Sequence, residues 1–127
     1  MSYPENLRYT EEHEWVDPAD PTAAMVGVTK YAADSLGDVV FVQLPDVGAK
    51  LTAGEPCGEI ESTKSVSDLY APVAGVVVEI NEAIVDTPEL VNTDPFGDGW
   101  LFRVRIEGTA ELLSVDEYLE HIKEDGS

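Results

Sequence analysis

The sequence predicts a mainly β fold, built as a small antiparallel sandwich or barrel. Short runs of β-branched and aromatic residues recur along the chain, and turn residues such as glycine, proline and aspartate separate them every several positions. Clear signals for helices occur near Thr29 and near Ser114. At 127 residues the chain is long enough for one modest core. We therefore expect a single domain that spans residues 1–127.

Extended segments account for most of the chain. Composition and alternation predict strands at residues 7–9, 13–16, 24–28, 39–44, 75–80 and 100–106. The 39–44 run, VVFVQL, has apolar side chains at nearly every position and predicts a buried strand. Residues 81–90 predict a connector with a helical turn from Pro88.

Two short helices have recognisable ends. Thr29 is suited to cap a helix near residues 29–36, and Gly37 is expected to end it in a left-handed conformation. Ser114 and Glu117 have the spacing of a capping box, in which each side chain bonds the other residue's backbone N–H. The second helix is therefore expected near residues 115–124.

The charge of the chain limits its partners. It contains 26 acidic and 7 basic residues, which gives a formal net charge of −19. Such a surface repels phosphate backbones and anionic membranes, so we expect neither nucleic acid nor membrane as a partner. It favours basic patches on other proteins, with association rates that fall as salt rises.

Motifs for enzyme chemistry are missing from the sequence. It has no GxSxG nucleophile elbow, no phosphate-cradling glycine loop and no CxxC pair. His13 and His121 are too isolated to indicate a metal site. We therefore expect no catalytic residues and no metal, which fits a carrier rather than an enzyme.

The cellular location is inferred from cysteine usage and from the N-terminus. Cys57 is the single cysteine, so no internal disulfide can form and a reducing compartment is expected. We interpret Cys57 as a small buried hydrophobic residue. The N-terminus resembles neither a secretory signal nor a transit peptide. We expect a bacterial cytoplasmic protein, or a mitochondrial matrix protein only if a transit peptide has been removed.

A central stretch, residues 61–68, lies between two short runs that can pair as a hairpin at about 57–70. If Thr63 and Lys64 form its tip, Ile60 faces Ser67 and Gly58 faces Leu69. Lys64 is one of four lysines in this acidic chain, and at the tip its amine would stand in water. A lysine at a loop tip is usually only solvated surface, so its position alone does not establish a role.

The run ESTKSVSDLYAPVAG resembles the lipoyl-attachment hairpin of the glycine cleavage system H proteins. Other segments resemble the same family in the same order: LRYTEEHEWV near the start, GVTKYAADSLGDVVFVQLPDVGAKLTAGE before the hairpin, and TPELVNTDPFGDGWLFRVRI after it. Each piece alone is weak, but several pieces at similar spacing are strong. The resemblance implies the barrel-sandwich hybrid fold of lipoyl and biotinyl carriers.

The resemblance also implies a cofactor and a set of partners. Lipoic acid would be attached to Lys64 through an amide, and the chain would be a lipoylated carrier of the glycine cleavage system. It would take the aminomethyl group of glycine from a pyridoxal-phosphate glycine decarboxylase (P protein) to a tetrahydrofolate-dependent aminomethyltransferase (T protein). Dihydrolipoamide dehydrogenase (L protein) would then reoxidise it. Lipoyl-attaching enzymes are further implied partners, and we expect the carrier to be a monomer.

Acidic residues near Lys64 are implied in two further roles. Glu14 and Asp68 are candidates to shelter the amine of the loaded arm, and Glu61 and Asp68 are candidates for recognition by the attaching enzyme. Each could equally be an ordinary surface acid. Tyr31 stands where many family members carry histidine, so it can supply a hydroxyl, a wall, or only packing for the short helix.

Three other functions remain as alternatives. A lipoyl relay that donates lipoyl groups to 2-oxoacid dehydrogenases would use the same lysine. A biotinyl carrier is disfavoured, because biotin sites usually have methionines beside the lysine and this chain has Thr63 and Ser65. A carrier-like protein that is never modified is not excluded by the sequence.

Overall fold

Two antiparallel sheets form the framework of the protein. The computed structural model describes residues 3–107 and 112–126, with side chains described through residue 123. The first sheet has six strands in the order β1-β2-β3-β9-β8-β5, and the second has three in the order β4-β6-β7. The strands are Arg8–Tyr9, Glu14–Asp17, Ala24–Val28, Val39–Gln43, Lys50–Leu51, Pro56–Ser62, Val66–Tyr70, Gly75–Ile80 and Phe102–Ile106, numbered β1 to β9. The predicted mainly β sandwich of two small sheets is confirmed.

Within the described residues, four helices connect or cover the sheets. In chain order, α1 to α4 are Lys30–Leu36, Glu82–Asp86, Leu90–Thr93 and Val115–Gly126. Thr29 caps α1 by accepting a hydrogen bond from the Ala32 N–H at 3.2 Å. Gly37 ends α1 with φ 80° and ψ −156°, so its φ is positive as predicted while its ψ lies outside the left-handed helical region.

The capping box of α4 is present as predicted. The Ser114 N–H donates to Glu117 Oε1 at 2.9 Å, and the Glu117 N–H donates to Ser114 Oγ at 3.3 Å. The helix extends to Gly126, two residues beyond the predicted end. Among the segments that the structure describes, no helix is long and apolar enough to cross a membrane.

The core lies between the sheets and continues into a smaller aromatic cluster. The main cluster joins inward side chains of both sheets, such as Val26, Val77 and Val104 of the first and Ile60 and Leu69 of the second. The smaller cluster consists of Leu7, Tyr9, Trp15 and Tyr118. In it the ring of Tyr118 stacks on that of Tyr9 with 4.9 Å between the ring centroids. This contact fixes α4 against the N-terminal strands.

One prediction about secondary structure was wrong and another was incomplete. The 39–44 run is not a buried strand, because Val40 and Phe41 are 49% and 51% exposed. The pairing of β4 with β6 shifts register between Val39 and Phe41, and the outer face of this small sheet is not covered by another layer. The 81–90 connector is also more regular than expected, since it contains α2, which Asn81 caps through a 3.2 Å bond from the Ala83 N–H.

Candidate functional site

The central hairpin has the predicted register. Ile60 pairs with Ser67 and Gly58 pairs with Leu69, across β6 and β7. The two strands are joined by a connection of three residues, 63–65, and Lys64 lies in its middle and is exposed to solvent. Every second residue of each strand faces the core, and this alternation determines how the two strands pair. The pairing in turn places the tip at the far end of the small sheet. Lys64 therefore stands at the most prominent point of the hairpin.

The tip is closed by hydrogen bonds to one buried hydroxyl. Ser62 Oγ accepts from the Ser65 N–H at 3.2 Å and from the Lys64 N–H at 3.4 Å. The Ser62 N–H in turn donates to the Ser65 carbonyl at 2.8 Å. The side chain replaces the Asn-Gly turn that a tight hairpin would use. This role of Ser62 was not predicted from the sequence, although a serine at the end of a strand is a common turn signal.

The tip also contacts the end of α1. The Thr63 N–H donates to the Asp38 carbonyl at 3.0 Å. The side chain of Lys64 lies over Gly37, because a Cβ at Gly37 would be 3.4 Å from Lys64 Cε and 3.9 Å from Nζ. Among the side chains described, those of residues 3–107 and 112–123, no carboxylate forms an ion pair with the Lys64 amine. The amine is thus accessible for chemical modification.

A cleft of about 200 Å³ opens beside the hairpin, between α1, β7 and the start of β2. Apolar side chains line its inner part, namely Val28, Ala32, Leu36, Ile60 and Leu69. Polar side chains complete the lining, including Ser65 and Ser67 of the hairpin and Ser35 of α1. The cleft brings Glu14 and Asp68 together, although they are far apart in sequence. Glu61 does not line it and lies on the outer face of the small sheet.

Glu14 is a buried acid, with 2% of its surface exposed. Thr10 Oγ1 donates to its Oε1 at 2.9 Å, and the Tyr70 N–H donates to its Oε2 at 3.2 Å. Burial raises the pKa of Glu14 from its ordinary value of 4.5 to about 8, although these two hydrogen bonds favour the charged form. Glu14 is therefore not an ordinary surface acid, whereas Asp68 is exposed.

Tyr31 and Cys57 lie outside the cleft lining. Tyr31 is half-buried and its ring faces that of His13, with 4.7 Å between the ring centroids. Cys57 packs against the main core, and burial raises the pKa of its thiol to about 12. A thiol with so high a pKa has little thiolate at neutral pH, which agrees with its interpretation as a small hydrophobic residue.

A second cavity, of about 800 Å³, is also lined by Glu14. Thr10 and Glu14 contribute to its wall, together with Glu11, Glu12 and Glu117. Glu14 thus lines both cavities, and its carboxyl group is held in place by the hydrogen bonds from Thr10 and Tyr70.

Comparison with known proteins decides the family. A family model described as "Glycine cleavage H-protein" matches residues 7–125. The chain belongs to this H-protein family. An H protein of Beutenbergia cavernae is 64% identical over 118 residues, which cover 93% of this chain and 94% of the relative. An H protein of Streptomyces coelicolor is 60% identical over 119 residues, which cover 93% of this chain and 95% of the relative.

A solved structure of an H-protein family member supports the fold. The crystal structure of a glycine cleavage system H protein from Mycobacterium marinum matches with a TM-score of 0.88 and 47% identity. The match covers 98% of this chain and 100% of the other. The family resemblance and the fold predicted from the sequence are confirmed. H-protein membership also confirms the predicted carrier role in the glycine cleavage system and disfavours the biotinyl and relay alternatives.

Proposed function

We propose that Lys64 of this carrier is modified with lipoic acid and presents it to the enzymes of the glycine cleavage system. The observation that supports this most is the exposed amine at a hairpin tip, which has no ion-pair partner among the described side chains, beside a cleft with an apolar interior. When bound, the lipoyl group would supply a disulfide that accepts the aminomethyl carbon released by glycine decarboxylase, yields it to the tetrahydrofolate-dependent aminomethyltransferase, and is restored by dihydrolipoamide dehydrogenase. The chain itself would be non-catalytic.

The role of the hairpin would be to hold the modified lysine at an exposed, defined position on the surface of the protein. The buried Ser62 hydroxyl and the bond from Thr63 to Asp38 fix the backbone on both sides of the tip. A fixed backbone with a mobile side chain lets the attached group sample a limited volume, which raises its local concentration for a docked partner. Such a tether allows one carrier to serve several active sites in turn.

The cleft would shelter the loaded arm. Its inner part is apolar and would exclude water from the aminomethyl carbon, which is prone to hydrolysis. Glu14 would face the amine from the inner wall, and Asp68 from the rim. At neutral pH the empty carrier has a largely protonated Glu14, because its pKa is about 8. A cationic amine would favour the carboxylate, so seating the arm would release a proton from Glu14. Asp68 is exposed, so we expect its ion pair to contribute little.

Glu61 would help the attaching enzyme recognise the hairpin. It lies between Phe41 on β4 and Val66 on β7, which face it directly across the small sheet. Phe41 and Val66 are 51% and 57% exposed. This row therefore presents one carboxylate between two apolar side chains, within a few residues of Lys64. Asp68, which pairs with Glu59, places further acidic residues on the same sheet.

Mass spectrometry tests the modification. The protein would be produced in its native host under lipoate-replete conditions, beside a Lys64→Arg variant that keeps the charge but cannot form the amide. We expect a lipoyl mass on the peptide that contains residue 64 in the wild type and none in the variant. A biotinyl mass, or an unmodified peptide, would contradict the proposal. Deleting the protein should abolish glycine decarboxylation; if lipoylation of other proteins fails instead, the relay role is correct.

Lifetime measurements test the shelter. The loaded carrier would be prepared with Glu14→Gln or Asp68→Asn, and the loss of the aminomethyl group followed over time. We expect Glu14→Gln to shorten the lifetime severalfold and Asp68→Asn to shorten it less. Glu59→Gln is a matched control, because Glu59 pairs with Asp68 but does not line the cleft. Equal lifetimes for all four proteins would refute the shelter.

The three partner enzymes, the lipoyl-attaching enzymes and the monomeric state stay predictions. The cytoplasmic location inferred from the sequence also stays a prediction. Sedimentation of the carrier alone, and with each partner at low and at high salt, would test the association expected from its net charge.

A further inference from the structure

Asn92 on α3 binds the segment that follows α1. Its Oδ1 accepts from the Val39 N–H at 2.9 Å, and its Nδ2 donates to the Gly37 carbonyl at 2.7 Å and to the Ala33 carbonyl at 3.4 Å. The side-chain amide therefore bonds both ends of the three-residue segment 37–39 as well as the last turn of α1. Such a set of bonds fixes the orientation of each peptide group in the segment.

The same segment supports the hairpin tip. The Asp38 carbonyl lies between the Gly37 carbonyl and the Val39 N–H, the two groups of this segment that Asn92 binds. It accepts a hydrogen bond from the Thr63 N–H at 3.0 Å. Gly37 lies under the side chain of Lys64, with φ 80°, where an added Cβ would be strained and would come within 3.4 Å of Lys64 Cε. The contacts thus run from α3 through residues 37–39 to residues 63–64.

We propose that Asn92 is a positioning residue for Lys64, because it fixes the 37–39 segment that holds the hairpin tip beside the cleft. The inference rests on the proposed function only in that Lys64 is the modified residue. Asn92 does not touch the lysine, so its effect is indirect. Without its amide, the Gly37 carbonyl and the Val39 N–H lose their side-chain partner and the segment can rotate. The Asp38 carbonyl would then turn away from Thr63.

Asn81 offers a matched control. Its Nδ2 donates to the Asp98 and Trp100 carbonyls at 2.9 and 2.7 Å, and its Oδ1 accepts from the Ala83 N–H at 3.2 Å. It therefore makes the same number and kind of hydrogen bonds as Asn92, but to α2 and to the segment before β9. Replacing either asparagine by alanine should lower global stability by a comparable amount.

Amide hydrogen exchange of Thr63 is the first readout. We expect Asn92→Ala to lower the protection of this amide by about tenfold more than the loss of global stability explains, which is the order of one buried hydrogen bond. Asn81→Ala should lower protection only as far as it lowers global stability. Equal protection of Thr63 in the two variants, after that correction, would overturn the proposal.

Asn92→Asp gives a readout that general destabilisation does not produce. The ionised carboxylate can accept from Val39 but cannot donate to Gly37, whereas the protonated carboxyl can do both. Protection of the Thr63 amide should therefore be low at neutral pH in this variant and should recover as the pH falls. A flat pH profile relative to the wild type would count against the proposal. If Asn92→Ala does not fold, Asn92→Asp still decides whether Asn92 positions the hairpin tip.

The loaded carrier supplies the functional readout. With an intact Lys64, Asn92→Ala should shorten the lifetime of the aminomethyl group severalfold, while Asn81→Ala should leave it near that of the wild type. If wild-type Lys64 proves to carry no lipoyl group, the proposed function fails. The exchange of the Thr63 amide then still tests whether Asn92 holds the hairpin tip. If the lipoyl group is present and the two variants have equal lifetimes, the positioning role fails and the proposed function stands.

Discussion

Replacing Glu14 with glutamine should remove a pH dependence from the stability of this protein. Burial raises the pKa of Glu14 from 4.5 to about 8, so between these values the folded state holds a proton that the unfolded chain has released. Stability therefore falls as pH rises through this window, by about 1.4 kcal/mol for each pH unit. Across roughly three units the Glu14 contribution amounts to about 4 kcal/mol. Below pH 4.5 both states are protonated, so stability is at its highest with respect to Glu14 and no longer changes with pH through this group.

Glutamine is a suitable replacement because it matches the protonated acid. An amide placed with its nitrogen at Oε1 can donate to Thr10 Oγ1, while its oxygen accepts from the Tyr70 N–H, as the neutral carboxyl can. The two proteins should thus have similar stability near pH 5. At pH 8 the wild type should be less stable than Glu14→Gln by several kcal/mol.

Urea denaturation at a series of pH values measures the difference. All other titratable groups are shared by the two proteins, so their contributions largely cancel in the difference of unfolding free energies. We expect that difference to grow steadily from pH 5 to pH 8. Parallel stability curves over this range would show that Glu14 is charged in the folded protein at neutral pH, and would refute the assigned effect of burial.

Three further predictions concern stability. Ser62→Ala should lower the free energy of unfolding, measured by urea denaturation, by about 1–3 kcal/mol, because it leaves tip amides without their hydroxyl acceptor. An unchanged free energy would show that water replaces the hydroxyl. Gly27→Ala should lower the free energy of unfolding by about 1–3 kcal/mol and alter tryptophan fluorescence, because the added Cβ lies 2.6 Å from the ring of Trp15. Unchanged fluorescence would contradict that contact. Ser114→Ala should cost about 1 kcal/mol and reduce helical circular dichroism, whereas exposed Glu120→Gln serves as a control and should change neither.

Local sequence patterns predicted those features that depend on local chemistry. The register of the hairpin follows from its short connection and from the alternation of inward and outward residues, so Ile60 and Ser67 could be paired in advance. The caps at Thr29 and Ser114 depend on residues three positions away. Lys64 required the family resemblance, because a lysine at a loop tip has no distinctive chemistry of its own.

Features that depend on distant contacts were not predictable. The burial of Glu14 follows from its contact with Tyr70, which is 56 residues away. The bonds from Asn92 to residues 37 and 39 span more than 50 positions. The exposure of Phe41 depends on which face of β4 another layer covers, and a run of apolar residues does not encode that. Helix α2 has five residues, too few for a clear helical period.

The row of Phe41, Glu61 and Val66 bears on the predicted monomeric state of this carrier. Two copies that tried to bury these apolar side chains together would also bring their Glu61 carboxylates face to face, on surfaces that already carry a net charge of −19 each. Each such like-charge approach at about 4 Å opposes association by roughly 1 kcal/mol even in water. A basic enzyme surface meets attraction at the same spot. We therefore expect charge to favour basic partner proteins over self-association, and salt to weaken that preference.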